Sequence, residues 1–439
     1  MNPKKVLVGV LVTSTVAVTA LALGHKSVKQ IVSKALSARA ADLLADGQQI
    51  FRSDTFGSEK FWGDKLQLHK AILGSANGGV GKGVSPTTAL GVGLKVDIAS
   101  LSPETLKSIQ DKTVDLNDPK VSVALLKENA IVGLKGIFDQ SGNLTSVGIT
   151  CALCHSTVDD ELTKGLGKRL DGWPNRDLDV GAIVNLSPDL TVVNDLLGVS
   201  DETTRKVILA WGPGRYDAHL LLDGKGFRDD GKTSAVLLPP AYGLIGVNLH
   251  TYTGWGSVPY WNAFVANLQM HGQGNFYDPR LDDATKFPVA AKAKLGHVTN
   301  KDDLISSKLP ALHYYQLSLA APAPPAGSFD PAKATRGQAL FLDKAKCATC
   351  HVPPTYSDPG YNMHAADEIG IDDFQAKRSP DEKYRTTPLK GAWARAKGGY
   401  YHDGRFADLT AVVEHYDDHL GLSLSDDEKS DLVEFLKSL

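Results

Sequence analysis

The chain has 439 residues, 42% of them hydrophobic and 22% charged, with 47 Lys plus Arg against 50 Asp plus Glu and a formal charge of −3. Such a composition builds a core, which excludes a disordered or fibrous chain, and near charge balance without a basic stripe carrying interleaved aromatics argues against nucleic acid as a partner. Four cysteines are too few to staple a chain long enough to bury its own core, so their positions must account for them.

Lys4 and Lys5 precede an uncharged run from Val6 to Leu23. Eighteen residues of helix rise about 27 Å, close to the hydrocarbon thickness of a bilayer, so residues 1–26 read as a signal peptide or a membrane anchor. Ala20-Leu21-Ala22 supplies a small-residue cleavage site for the first outcome. Either outcome exports the rest, with the lysines held inside. The expected location is periplasmic or otherwise exported, tethered to the inner membrane if the leader is retained.

Ser27 to Leu44 carries Val28, Ile31, Ala35 and Leu36 at helical spacing and predicts a short stalk helix. The phrase Asp46-Gly47-Gln48-Gln49-Ile50-Phe51 follows, and a similar one, Arg336-Gly337-Gln338-Ala339-Leu340-Phe341, lies in a predicted helix from Ala332 to Lys344. Between them Ala320-Ala321-Pro322-Ala323-Pro324-Pro325-Ala326-Gly327 supports neither helix nor central strand, because each proline removes a donor and restricts its predecessor. A first domain at 27–319, a linker at 320–328 and a second domain at 329–439 follow. Strand signals are sparse and Gly and Pro punctuate the chain, so the fold class is mainly α with long loops. At the carboxyl end Ser425 and Glu428 form a capping-box signature, with Leu432, Val433, Leu436 and Leu439 on one apolar face.

Cys151-Ala152-Leu153-Cys154-His155 and Cys347-Ala348-Thr349-Cys350-His351 use every cysteine in the chain. Two thiols three positions apart on a helical turn each form a thioether with one haem vinyl group, and the adjacent histidine offers its imidazole to the iron. A four-cysteine zinc site would need the pairs to converge across 196 residues and leaves both histidines unexplained. Disulfides or thioredoxin-like pairs do not require the histidine either. Two covalent haem c groups are the expectation, bound through Cys151, Cys154, Cys347 and Cys350, with His155 and His351 on iron.

From Gly337 through the second motif to Pro388-Leu389-Lys390-Gly391 and Tyr401-His402-Asp403-Gly404-Arg405-Phe406, the chain resembles the carboxyl-terminal haem domain of bacterial dihaem cytochrome c peroxidases and their relatives. These include the dihaem enzyme that matures tryptophan tryptophylquinone and the dihaem rubber oxygenases. In the first half the resemblance rests on Cys151–His155 and Trp211-Gly212-Pro213-Gly214-Arg215-Tyr216-Asp217. It implies two cytochrome c-type haem domains, with a large insertion in the first, since Gly337 precedes Cys347 by 10 residues but Gly47 precedes Cys151 by 104.

The sixth ligand separates a haem open to peroxide or oxygen from one suited to conduction. The peroxidases place a methionine fourteen positions after the His-Asp-Gly histidine, and counting from His402 reaches Tyr416 instead. Tyrosine there resembles the tryptophylquinone-maturing enzyme. His415 and His419 are the alternatives, the rubber oxygenases using a histidine from this region, and Met363 is a further one. For the first haem His69, His219, His250 and His271 are available, and the family implies an open position. His402 is given a supporting role, on a haem propionate or in proton transfer. The relatives' calcium site falls on Lys397 and Gly399, and a cation beside Lys397 meets repulsion, so calcium is doubted. Trp173, Trp211, Trp255, Trp261 and Trp393 are all available for an electron path between haems.

The resemblance thus implies an exported dihaem oxidoreductase in which one haem transfers electrons and the other activates peroxide or another small oxidant, with a redox partner protein as electron donor or acceptor. Its rivals are a dihaem electron carrier with both irons six-coordinate, and an oxygenase in which the insertion between Phe51 and Cys151 shapes a substrate tunnel.

Overall fold

The computed structural model describes residues 25–358 and 360–439, with side chains from residue 33 onward apart from that of residue 35. The apolar run Val6–Leu23 lies outside the described residues. No helix among those described is long and apolar enough to cross a membrane.

The first helix runs from His25 to Ser53, longer than the stalk expected at 27–44. It continues through Gly47, which costs a helix roughly 1 kcal/mol against alanine. Packing explains its presence. A Cβ on Gly47 would lie 2.1 Å from the carbonyl oxygen of Ala311 and 2.6 Å from Cβ of Tyr315, on the helix Leu309–Ser318. The second half repeats this crossing. Gly337, in the helix Pro331–Leu342, sits where a Cβ would lie 2.0 Å from the carbonyl oxygen of Asp431 and 2.9 Å from Cβ of Phe435, on Asp426–Ser438. Four residues beyond each glycine stands a fully buried phenylalanine. Phe51 meets Tyr315 with ring centroids 5.7 Å apart, and Phe341 meets Phe435 at 5.1 Å.

The segment between Phe51 and Cys151 is built from short helices. Ser85, Ser102 and Asp118 cap three of them, each with proline at the helix start, the arrangement that satisfies free amides and tolerates a missing one. A hairpin of Leu134–Phe138 against Leu144–Ile149, absent from the sequence expectation, then delivers the chain to Cys151. The remaining strands pair only two by two, so the fold is mainly α. Residues 320–330 contain neither helix nor strand. The last helix carries the expected capping box of Ser425 and Glu428 and buries Leu432, Val433, Phe435 and Leu436.

One apolar cluster spans Phe51 to Tyr315, a second lies around Trp255, Trp261 and Phe264, and a third joins Phe341, Val413, Leu424 and the last helix. Residues on either side of the 320–330 segment are joined by backbone and side-chain bonds. Leu237 N–H donates to His402 O at 2.7 Å, Arg385 N–H to Tyr252 O at 3.0 Å, and Tyr242 O–H to Gly391 O at 2.6 Å. Arg378, wholly buried, donates to Asp223 at 2.7 Å, to Asp217 at 3.0 Å and to Ser234 O at 3.1 Å. Removing one partner of such a group leaves a buried charge uncompensated and costs about 3–5 kcal/mol.

Because the atoms facing Gly47 and Gly337 are backbone oxygens that cannot move aside, Gly47→Ala and Gly337→Ala should each destabilise the protein by about 1–3 kcal/mol in denaturant titration. Gly91→Ala, where an added Cβ meets nothing within 4 Å, should leave stability unchanged or slightly raised. Equal effects at all three positions would remove the close helix crossings from the account.

Candidate haem sites

Each cysteine motif closes one tight turn. His155 N–H donates to Cys151 O at 3.2 Å and His351 N–H to Cys347 O at 2.9 Å, which puts each histidine one turn above its first cysteine. The four cysteines form no disulfide. Burial pushes the Cys151 and Cys154 thiols up to about 12 and that of Cys347 up to about 11, so neither pair is poised for thiolate exchange. The pairs also do not converge. Cys151 and Cys154 line a cavity of about 220 Å³, and Cys347 and Cys350 line another of about 330 Å³.

Both motif histidines are held alike. His155 Nδ1 donates to Pro239 O at 3.1 Å and His351 Nδ1 to Tyr356 O at 3.0 Å, which fixes the tautomer and leaves Nε2 as the free nitrogen. Burial pushes each imidazolium down to about 4, so both rings are neutral and able to bind a metal at neutral pH.

The first cavity brings together His219, His250 and Met270, while His69 and His271 are not among its lining residues. His271 instead stacks on Phe61 with centroids 3.6 Å apart. His250 Nε2 is engaged by Val247 O at 3.1 Å. His219 Nε2 is buried without a hydrogen-bond partner. A π-helical turn, Val265–Gln269, carries Gln269 into the lining, where it accepts from Tyr216 O–H at 2.6 Å and donates to Ala218 O at 3.0 Å. The long insertion supplies little of this wall, only Trp62, Ile149 and Thr150 among the described residues.

The second cavity brings Tyr416 and His402 together with His351. Tyr401 O–H donates to the Tyr416 oxygen at 2.5 Å, and the Tyr416 proton has no acceptor among the described residues. Burial raises the Tyr416 phenol above its ordinary value, while the bond from Tyr401 opposes that rise. Tyr401 adopts φ of 68°, a left-handed backbone rare for an aromatic residue. His402 stacks on Tyr384 and keeps a buried Nε2 without a partner. His415 and His419 do not line this cavity, and their Nε2 atoms meet the carbonyls of Ile369 and Glu368 at 2.9 and 3.0 Å. Met363 also lies off the lining. His364, not singled out in the sequence, does line it, held between Asp358 at 2.5 Å and Glu368 at 2.7 Å. Desolvation opposes its charge, but these carboxylates hold the imidazolium above its ordinary range.

Pro239, Pro240, Tyr252 and Arg385 line both cavities and form the wall between them. Of the five tryptophans named for an electron path only Trp261 lines a cavity, and Tyr252 is the aromatic common to both. Arg176, Arg385 and Arg395 cluster at this wall, bonded to the carbonyls of Lys397, Thr251 and Pro388 rather than to carboxylates. Arg385 keeps Nη1 unpartnered, and burial with the charge of Arg395 pushes it down to about 10. Buried cations without counter-anions are expensive, so this wall calls for anionic groups. Haem propionates are such groups. With paired thiols and a free Nε2 at each cavity, the residues present fit a haem at each motif. Lys397, at the position doubted for calcium, lies against Asp177 beside Lys95.

No protein-family model matches the chain. It is 33% identical to the methylamine utilization protein MauG of Methylorubrum extorquens over 124 residues, 25% of this chain and 35% of that protein. The chain therefore spans about a third of the length of this curated relative. Among solved structures it is similar to the hydrazine synthase of Kuenenia stuttgartiensis, at 21% identity, covering 48% of this chain and 75% of that one with a TM-score of 0.30. A MauG-like protein associated with microbial copper homeostasis matches at 18% identity, covering 52% of this chain and 78% of that one with a TM-score of 0.28.

If propionates neutralise the shared wall, Arg385→Met should lower the midpoint potential of both haems in a spectroelectrochemical titration, by roughly 60 mV for a tenfold change in a one-electron equilibrium. Unchanged potentials would place the propionates elsewhere.

Proposed function

We propose that the chain is a MauG-like dihaem cytochrome, an exported haem-dependent oxidoreductase with two cytochrome c-type haem domains, 27–319 and 329–439, joined by 320–328. Cys151 and Cys154 hold one haem and Cys347 and Cys350 the other, each through thioethers. His155 and His351 are the proximal ligands through Nε2. A haem so held supplies one-electron transfer and, where a coordination position is open, activation of a small oxidant such as peroxide.

The first site is the open one. Its cavity holds a histidine with a free nitrogen, His219, kept neutral by burial that pushes it down to about 4, and hydrogen-bonding side chains, Gln269 and Gln375, among apolar walls. Such a lining leaves a few polar groups to orient a small oxygen-containing substrate. The second site stores and relays electrons. Tyr416 would hold the iron of this second haem, with Tyr401 donating to the same oxygen and so favouring its anionic form. His402 lends a buried imidazole beside this site, pushed down to about 4 by burial and therefore neutral. Tyr252, in the wall shared by both cavities, is the aromatic placed to pass electrons between them. A redox partner protein supplies or accepts the electrons.

The observation that carries this reading is the matched pair of half-buried histidines, each tied at Nδ1 and free at Nε2, in separate cavities with their own cysteine pair. The electron-carrier reading draws its support from His219, His250 and Met270, three groups able to close the first iron.

Electron paramagnetic resonance of the ferric protein should give one high-spin haem that responds to cyanide and one low-spin haem that does not. Two low-spin haems indifferent to cyanide would favour the carrier. Tyr416→Phe should abolish the low-spin signal and raise the potential of that haem, and an unaltered spectrum would take Tyr416 off the iron.

A further inference from the structure

His219 is fixed from two directions. Its own segment forms an aspartate-led turn, in which Asp217 Oδ1 accepts from the backbone N–H of His219 at 3.0 Å and of Leu220 at 3.2 Å. The ring is 5% exposed and lies edge-on to Trp255 at 5.4 Å. Its Nδ1 meets Nε2 of Gln375 at 3.2 Å, and Gln375 comes from the other half of the chain, on the turn Phe374–Lys377. The next residue after that turn is Arg378, whose guanidinium grips Asp217 and Asp223. These two carboxylates bracket His219 in sequence, so one short segment of the second half holds both the backbone turn and the ring.

The Gln375 contact decides where the imidazole proton sits. With the amide nitrogen toward the ring, Nδ1 accepts and the proton is on Nε2. The atom left over is Gln375 Oε1, buried and without a partner. With the amide reversed, Nδ1 would donate and the atom left over would be a buried amide nitrogen with its protons unpaired. Buried N–H groups without partners are rarer than under-used carbonyl oxygens. The proton therefore belongs on Nε2, the nitrogen that has no protein partner in the first cavity. An imidazole in that state cannot bond iron through Nε2, but it can donate.

We propose that His219 is the distal hydrogen-bond donor of the first haem site, acting through Nε2 on a peroxide- or cyanide-type ligand in the cavity, and that Gln375 and Arg378 are positioning residues supplied by the other half of the chain. This deepens the open first site proposed above and rests on it. It also makes the first site incomplete without the second half.

The test uses the full haem-loaded chain and carbon monoxide and cyanide as probes. The wild-type ferric first haem should be high-spin. His219→Leu should leave it high-spin, raise the C–O stretching frequency of the ferrous carbonyl adduct and weaken cyanide binding by about tenfold, the loss of roughly one hydrogen bond. His219→Gln, which keeps an N–H donor, should recover part of the shift. Gln375→Glu places an acceptor against Nδ1, moves the proton off Nε2 and should raise the carbonyl stretch as His219→Leu does while the ring stays in place and the haem stays high-spin, a readout that a merely structural role would not produce. A carbonyl stretch and cyanide affinity unchanged in His219→Leu would overturn the inference, as would a low-spin wild-type haem that turns high-spin in that variant, since His219 would then be a ligand. Absence of haem mass on the peptide holding Cys151 and Cys154 would instead end the parent reading, and this one with it.

Discussion

An imidazole whose Nδ1 is tied to a backbone carbonyl has one direction left in which to bind, and two such rings organise this molecule. His155 leans on Pro239 O and His351 on Tyr356 O. Burial of the ring nitrogens keeps both rings neutral. The carbonyl that aims His155 belongs to the wall between the two cavities. That wall is placed by both halves, through Leu237 on His402 and Arg385 on Tyr252. The aim of the first histidine thus depends on the docking of the second half, as does the ring of His219.

Beneath the motifs lies a structural element used twice. In each half a helix bearing Gly, then Phe four residues later, crosses the last helix of that half at a distance only glycine allows. Close helix approach lets the aromatic pairs Phe51–Tyr315 and Phe341–Phe435 lock the crossing. In the second half the cysteine motif follows almost at once. In the first, short capped helices and a hairpin intervene, yet the chain returns to place Cys151 beside the same kind of crossing. The proposed pair of haem domains rests on this repetition.

Much of this was legible in the sequence because its signals are local. The cysteine motifs, the repeated Gly-Gln-x-x-Phe phrase, the proline-rich connector and the Ser425–Glu428 capping box all lie within a few residues. The distal groups were not legible. Gln375 reaches His219 across 156 residues, and no spacing rule announces such a contact. Arg385 and Tyr252 look like ordinary loop residues until the fold sets them between two cavities. His415 and His419 lie beside Tyr416 in the sequence, but their imidazoles turn to the carbonyls of Ile369 and Glu368 instead. The hairpin before Cys151 was missed because its strands are short and hold their alternation poorly.

Three arginines at the wall between the cavities, bonded only to carbonyls, leave a local excess of positive charge in a protein that is nearly neutral overall. The haem reading resolves that excess, explains the paired thiols and uses both free Nε2 atoms. Its most direct test is the mass of the intact protein, read together with a count of free thiols after unfolding. The account predicts two covalent haem additions per chain and no titratable thiol. Four free thiols and no added mass would contradict it.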